Sequence, residues 1–398
     1  MQVPFGEWLP DQPEHGKKGA NVANNVYYAA NTYKRFPSLV SYSGASTTTT
    51  DSKGAGSFRD NSNTVYNFVA TRTNLYQLAS GTFTSRKASL TGTATDFWTF
   101  TQFGEYVIAS NGVDQPQYYL MGTSTNFANL NAIATGNPIF RVSGVVRDFL
   151  VAGNIVNATN RIQWSGINDI TEWTAGTSQS DSQDLPGSGG RVVHITSGEI
   201  GYVFRQNQIV RMDYVGGNTV FRLSVISPNR GAMYGRTVCQ DNRQIFFYAD
   251  DGFYQINGDQ IIPIGVEKVN RFFDLDLNKA YADRICAAVD PFKQLAMWLY
   301  PSASNTTNTT GICDKIIIYN YVTQKWSLAD ASASTIFAQF VGAYTVELMD
   351  IISQNLENIG AALDTDYWSG GQMLLGAIDS NYKAAIFSGT ANECEIET

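Results

Sequence analysis

Few residues in this chain are equipped for chemistry, and their spacing limits what that chemistry could be. Among 398 residues there are two histidines and four cysteines. His15 sits in a Pro/Gly-rich opening stretch. His194 sits in Arg191-Val192-Val193-His194-Ile195, a strand-like run in which an imidazole is ordinarily a satisfied structural group. Cys239, Cys286, Cys313 and Cys394 share no Cys-x-x-Cys spacing, so neither a zinc site nor a redox pair is expected. Glycoside hydrolysis, a chemistry that propellers host, needs two carboxylates facing one substrate. The candidates are Asp181, Asp184, Asp250 and Asp251, but Asp250-Asp251-Gly252 is also the signature of a tight hairpin turn. The Asp-box repeats and arginine cluster of a sialidase are missing, as are EF-hand spacing, HExxH, G-x-S-x-G and a P-loop. Gly187-Ser188-Gly189-Gly190 precedes a strand rather than a helix, so it lacks the helix N-terminus that would cradle phosphate. The expectation is a protein that is not an enzyme and holds no cofactor or metal.

The elements that position these residues repeat. From about Val65 to Phe387, an aromatic, β-branched run meets a Gly/Asn/Asp turn and a second aromatic strand follows, with a period of about 40 to 55 residues. Val65–Ala70 with Leu75–Leu78, Tyr106–Ala109 with Gln117–Leu120, and Ile245–Tyr248 with Phe253–Ile256 are three such units. Alternating apolar and polar residues bounded by turn residues read as half-buried antiparallel strands. One hairpin cannot bury both of its faces, so neighbouring units must pack together, and closure into a ring protects the edges. A β-sandwich would show turns without the superimposed longer period. The fold class expected is all-β: a β-propeller of six or seven antiparallel blades over 63–398. Residues 1–62, broken by Pro4, Pro10, Pro13 and Pro37, read as an irregular N-terminal arm packed on the ring through Trp8, Tyr27, Tyr28, Phe36 and Leu39. Ile336, Phe337, Phe340 and Val341 recur at helical spacing, so a short helical insertion is expected near 334–363. Trp98, Trp164, Trp173, Trp298 and Trp326 fall at blade-like intervals and read as core wedges rather than sugar platforms.

Composition narrows the class further. Charged residues make up 16% of the chain against roughly 25% for ordinary soluble domains, which suits a turn-dense β protein or one held inside an assembly. A net charge of −8 argues against a nucleic-acid binder, which would carry a basic face. It does not argue against a conduit, because an acidic wall keeps phosphates from sticking. Met1–Glu7 shows no signal-peptide pattern, and no apolar run reaches a membrane span, so a soluble protein that is not secreted by the general route is expected.

Several weak motifs recur in a fixed order: Trp8-Leu9-Pro10-Asp11, Asn25-Val26-Tyr27, Phe36-Pro37-Ser38-Leu39, and Phe103 to Ala109. They continue with Gln163-Trp164-Ser165, Asn168-Asp169, Trp173 and Gln179-Ser180-Asp181. Arg230-Gly231, Asp251-Gly252-Phe253-Tyr254, Gly265-Val266-Glu267-Lys268-Val269, Tyr319-Asn320-Tyr321 and Lys325-Trp326-Ser327 complete the series. With these blocks, nearly the whole chain resembles the tail hub or nozzle proteins of short-tailed bacteriophages, also called packaged-DNA stabilisation proteins.

The resemblance implies a structural virion protein in the phage tail, assembled in the host bacterial cytoplasm. It implies a homohexameric ring below the portal and the head-to-tail adaptor, extending the DNA channel and helping retain packaged DNA until ejection. Implied partners are the adaptor, tail fibres or spikes, and a tail plug or needle; double-stranded DNA passes through without specific binding, and no membrane is involved. Family members look longer at the C-terminal side, and Glu393–Thr398 reads like a strand entering a further domain. Asp250 and Asp251 are the candidate lumen-facing acidic turn. The alternative is a receptor- or glycan-binding propeller at the tail tip; a glycoside hydrolase is the third class.

Overall fold

A computed structural model describes residues 6–13, 19–29, 32–42, 46–79, 81–242, 244–340, 373–390 and 392–397. The chain divides into two compact units: Met1–Asp51 with Ala79–Phe83 and Cys239–Thr398, and Ser52–Leu78 with Thr84–Val238. Among the described residues no helix is long and apolar enough to cross a membrane.

The second unit is built from four four-stranded antiparallel meanders in chain order. Blade 1 is Gly54–Arg59, Val65–Ala70, Leu75–Ala79 and Thr82–Lys87, the turn into its last strand clustering with the first unit. Blade 2 is Thr99–Phe103, Tyr106–Ser110, Gln117–Leu120 and Ala128–Asn129. Blade 3 is Phe140–Val146, Phe149–Ile155, Ala158–Trp164 and Asp181–Asp184. Blade 4 is Val192–Ile195, Ile200–Arg205, Ile209–Gly216 and Val220–Ser227. The first strands of successive blades pack side by side, while the last strand of blade 3 is mostly exposed. Second strands are the most apolar, and Phe149–Ile155 is buried throughout. That is the expected pattern when both faces of a blade are covered.

The first unit continues the pattern. Blade 5 is Cys239–Asp241, Gln244–Ala249, Gly252–Asn257 and Gln260–Pro263. Blade 6 runs Cys286–Asp290, Leu295–Tyr300, Cys313–Asn320 and the first part of Lys325–Phe340. Past a register shift at Ala333, that long strand pairs with Met373–Asp379, then Ala384–Gly389 and finally Ser38–Ser41, which makes a seventh meander. Its fourth strand thus comes from the N-terminal part of the chain. The fold is an all-β propeller of six or seven blades as expected, and the strand order among the described residues gives seven.

Two boundaries differ from expectation. The stretch 1–62 is not uniformly irregular: Ser38–Ser41 completes blade 7 and Gly54–Arg59 opens blade 1. Its prolines lie outside these strands, so they do not prevent pairing. The helical insertion near 334–363 is not helical over Ser334–Phe340, which is strand paired with Met373–Asp379; 341–363 lies outside the described residues. The physical reason is legible in Ala331–Thr335, where burial alternates residue by residue as in a half-covered strand, and the β-branched Thr335 and Ile336 extend it. Phe36, by contrast, is anchored as expected: it joins a core formed by Leu299, Ile316, Ile336 and Phe387.

Candidate functional site

The acidic turn Asp250-Asp251 connects the second and third strands of blade 5, away from the first strand, which packs against that of blade 6. Both residues are exposed. Asp251 Oδ2 accepts a bond from the Tyr254 hydroxyl at 2.8 Å, which ties this carboxylate to its own hairpin. The turn is held by a residue the sequence reading did not single out. Asn270 Nδ2 donates to Asp251 O (3.2 Å), and Asn270 Oδ1 accepts from Phe253 N (3.2 Å). A Cβ on either Gly252 or Gly265 would fall onto the Asn270 amide, and Gly252 has φ +135°, which side-chain-bearing residues avoid. Asn270 is therefore a latch seated between two glycines, and those glycines belong to two of the sequence blocks noted above.

Further blocks meet nearby in the same unit. Trp326 Nε1 donates to Ile264 O at 2.9 Å, and its ring stacks on Trp298 and packs against Phe253. Lys268 Nζ contacts Glu7 Oε1 (2.7 Å) and Gln324 O (2.9 Å). Asp11 accepts from the backbone N–H of Arg271 and Phe272 at 2.8 and 2.7 Å, opening the short helix Asn270–Asp276, while Trp8 packs edge-on against Phe272. Asn25 exchanges bonds with the backbone N–H and carboxylate of Asp330. An open groove of 620 Å³ beside Pro10, Pro13, Phe272 and Leu275 also has Asp11 and Asp276 in its lining. Asp276 accepts from the Tyr300 hydroxyl (2.9 Å) and Lys315 Nζ (3.0 Å), so both carboxylates of this groove are bonded within the scaffold.

The second unit repeats the lesson. Gln163 Nε2 donates to Trp173 O, Trp164 Nε1 to Gln179 O, and Ser180 Oγ to Trp164 O, at 3.0, 2.8 and 2.8 Å. These blocks thus build the long connection into the last strand of blade 3. Asp184 forms a two-pronged pair with Arg161 (2.6 and 3.0 Å), and the hydrogen bond from that guanidinium holds its carboxyl below the usual range. Asp181 and Asp184 lie three residues apart at the two ends of one mostly exposed strand, Asp181–Asp184, opposite Trp164 and Arg161. His194 is half-buried against Phe204, and desolvation pushes its pKa down to about 4, partly opposed by a backbone hydrogen bond with Gly235. The Gly187–Gly190 loop has its own guest. The buried Arg205 guanidinium donates to Pro186 O, Gly187 O, Gly190 O and Gln208 Oε1, satisfying a charge with carbonyls rather than with phosphate.

Among the described residues no group of three or more His, Cys, Asp or Glu side chains is arranged to hold a metal. Cys239, Cys286 and Cys313 are buried and Cys394 half-buried, and none of the four is in a disulfide. Trp98, Trp164, Trp173, Trp298 and Trp326 are all buried, as core wedges should be. His15 lies outside the described residues.

No protein-family model matches the chain, and no curated protein matches it. Solved structures do resemble it. The β-propeller domain of Cps50 (Swd1) from Myceliophteria thermophila aligns at 9% identity over 86% of this chain and 98% of its own, with a TM-score of 0.49. U3-55K aligns at 8% identity over 88% and 99%, TM-score 0.49. The extracellular domain of the putative one-component system BT4673 from B. thetaiotaomicron aligns at 11% identity over 89% of this chain and 40% of its own, TM-score 0.48. At this level they carry nothing about activity or partners.

Proposed function

We propose that this chain is a structural virion protein: the protomer of a homohexameric tail hub or nozzle ring below the portal and adaptor of a short-tailed bacteriophage. It extends the DNA channel and helps retain the packaged genome. One observation carries the reading. Motifs that resemble this family, scattered from Trp8 to Trp326, meet within their units as scaffold contacts, with Asn270, Asp11 and Trp326 at the centre of one such cluster. A conduit needs rigid walls and weak attraction to phosphate, and a propeller of net charge −8 with bonded carboxylates meets both needs. A glycan-binding tip protein would instead need exposed aromatic platforms, and the tryptophans among the described residues are buried.

The test is cryo-electron microscopy of particles carrying the tagged protein, with no symmetry imposed. A tagged sixfold ring beneath the portal is the expected result. A tag at the outer fibres, in trimers or single copies, overturns the hub and leaves the receptor- or glycan-binding reading. Asp250 offers a finer probe, since it is exposed: if its turn faces the channel, Asp250→Lys slows ejection more at low salt than at high salt. Ejection of that variant with no salt dependence removes the turn from the channel wall.

A further inference from the structure

The blades differ in how their outer strands are protected. A sheet edge presents a row of unpaired N–H and C=O groups, and proteins blunt it with short strands, charge, proline or a covering segment. Blade 2 ends in the two-residue strand Ala128–Asn129, blade 3 in a strand carrying Asp181 and Asp184, and blade 5 in a strand closing on Pro263. The outer strand of blade 6 is covered at Leu328 by Val22–Asn24, running parallel to it.

Blade 4 has no short, proline-bearing or covered outer strand among the described residues, and its only edge charge is Arg222. Its outer strand Val220–Ser227 is eight residues long, reads Val-Phe-Arg-Leu-Ser-Val-Ile-Ser, and pairs only with Ile209–Gly216 among the described residues. Val225 is 48% exposed, and Val215 on the neighbouring strand is 49% exposed. The charge on this edge is positive. Arg222 approaches Asp213 at 3.7 Å, but that carboxylate is already bonded by Arg211 at 2.7 Å, so two guanidiniums share one acid. A long, apolar, cationic edge on an acidic protein is a template for an acidic strand.

The chain carries such a strand. Glu395–Glu397 pairs antiparallel with Val22–Asn24, and its other edge pairs with nothing among the described residues. Glu393, Glu395 and Glu397 are exposed, with Ile396 between the last two. We propose that the Glu395–Glu397 strand of one copy adds to the Val220–Ser227 edge of a second copy. The proposal rests on the reading that copies of this chain assemble side by side. Backbone bonds supply the attachment, and glutamates facing Arg222 select the partner edge. The chain already uses this device within itself, laying Val22–Asn24 on blade 6 and Glu395–Glu397 on Val22–Asn24. Because donor and acceptor edges differ, the contact is heterologous and propagates, closing into a ring when the rotation per copy allows.

Mass photometry and sedimentation of the full chain test this with wild type, Arg222→Glu, and the charge exchange Arg222→Glu with Glu397→Arg. Reversing the charge is expected to raise the concentration needed for assembly about tenfold, and the exchange to restore most of it. Unchanged denaturation midpoints would show that the variants fold. Assembly of Arg222→Glu at the wild-type midpoint overturns the proposal, and so does a wild-type chain that stays monomeric throughout the micromolar range. Imaging of virions separates this outcome from the hub itself. A sixfold ring beneath the portal together with unchanged solution assembly of Arg222→Glu removes this contact and keeps the hub, whereas a tag at the fibres removes the hub while the solution assay still decides the contact.

Discussion

The Asn270 latch makes a quantitative claim that a double-mutant cycle can refute. Asn270→Ala deletes the bonds to Asp251 O and from Phe253 N, each contributing about 1 kcal/mol net, so the expected loss is about 2 kcal/mol. Gly252→Ala acts twice. It forces a side chain into φ +135°, a strain of about 2 kcal/mol, and its Cβ displaces the Asn270 amide, costing the same bonds again. The single change should therefore cost about 4 kcal/mol. Once the latch is gone the new methyl has nothing to displace, so the double variant should also cost about 4 kcal/mol rather than the additive 6 or so. The coupling of about 2 kcal/mol is the latch itself. Urea unfolding followed through Trp298 and Trp326, which lie in the adjoining core, reads all four corners of the cycle, with coincident probes and a constant slope required. Additive costs within about 0.5 kcal/mol would show that the two sites act independently, and the latch would be wrong.

Two further outcomes follow from the packing. His194 has its pKa pushed down to about 4 in the folded chain against 6.5 when unfolded, so between these values the unfolded chain binds the extra proton. Stability should be fully present above about pH 6.5 and fall by about 3 kcal/mol as the pH drops toward 4. His194→Gln should flatten that part of the profile, and a profile of equal steepness in the two proteins would count against the burial argument. Phe36 packs on Phe387 with ring centroids 5.4 Å apart, coupling the N-terminal segment to blade 7. Phe36→Ala should cost about 3 to 5 kcal/mol and make the N-terminal segment the first site cut in limited proteolysis. Cleavage that starts elsewhere, at an unchanged rate, would deny Phe36 that role.

The blades were legible because their signal is local. Ile245–Tyr248 and Phe253–Ile256 announce a hairpin through two aromatic, β-branched runs flanking an Asp-Asp-Gly turn, and the structure pairs them in register, Phe247 with Tyr254. What the pattern could not show is pairing between distant segments. Nothing in Ser38–Ser41 says that its partner is Ala384–Gly389, some 340 residues away, because four mildly apolar residues after a proline look like loop. Ser334–Phe340 misled for a related reason. Its apolar spacing fits a helix, and only the facing strand Met373–Asp379, supplied by tertiary pairing, decides otherwise. Asn270 was invisible because one asparagine carries no periodicity. The usable signal was the pair of glycines, Gly252 and Gly265, each standing where a Cβ would collide with it.

The acidic residues show why composition and site must be argued separately. Four aspartates looked like candidate catalytic groups from sequence, and two of them are tied to a neighbouring side chain. Asp184 holds Arg161 and Asp251 holds the Tyr254 hydroxyl. The two acids of the groove in the first unit are likewise bound, Asp11 to a helix start and Asp276 to Tyr300 and Lys315. Such bonds rigidify turns and connections, as the proposed conduit wall would require. The same reasoning isolates Arg222, whose acid is already shared with Arg211 on an edge that no other described strand covers. With these carboxylates bonded within the scaffold, a long cationic edge that no described strand covers is where an outside strand should be sought first.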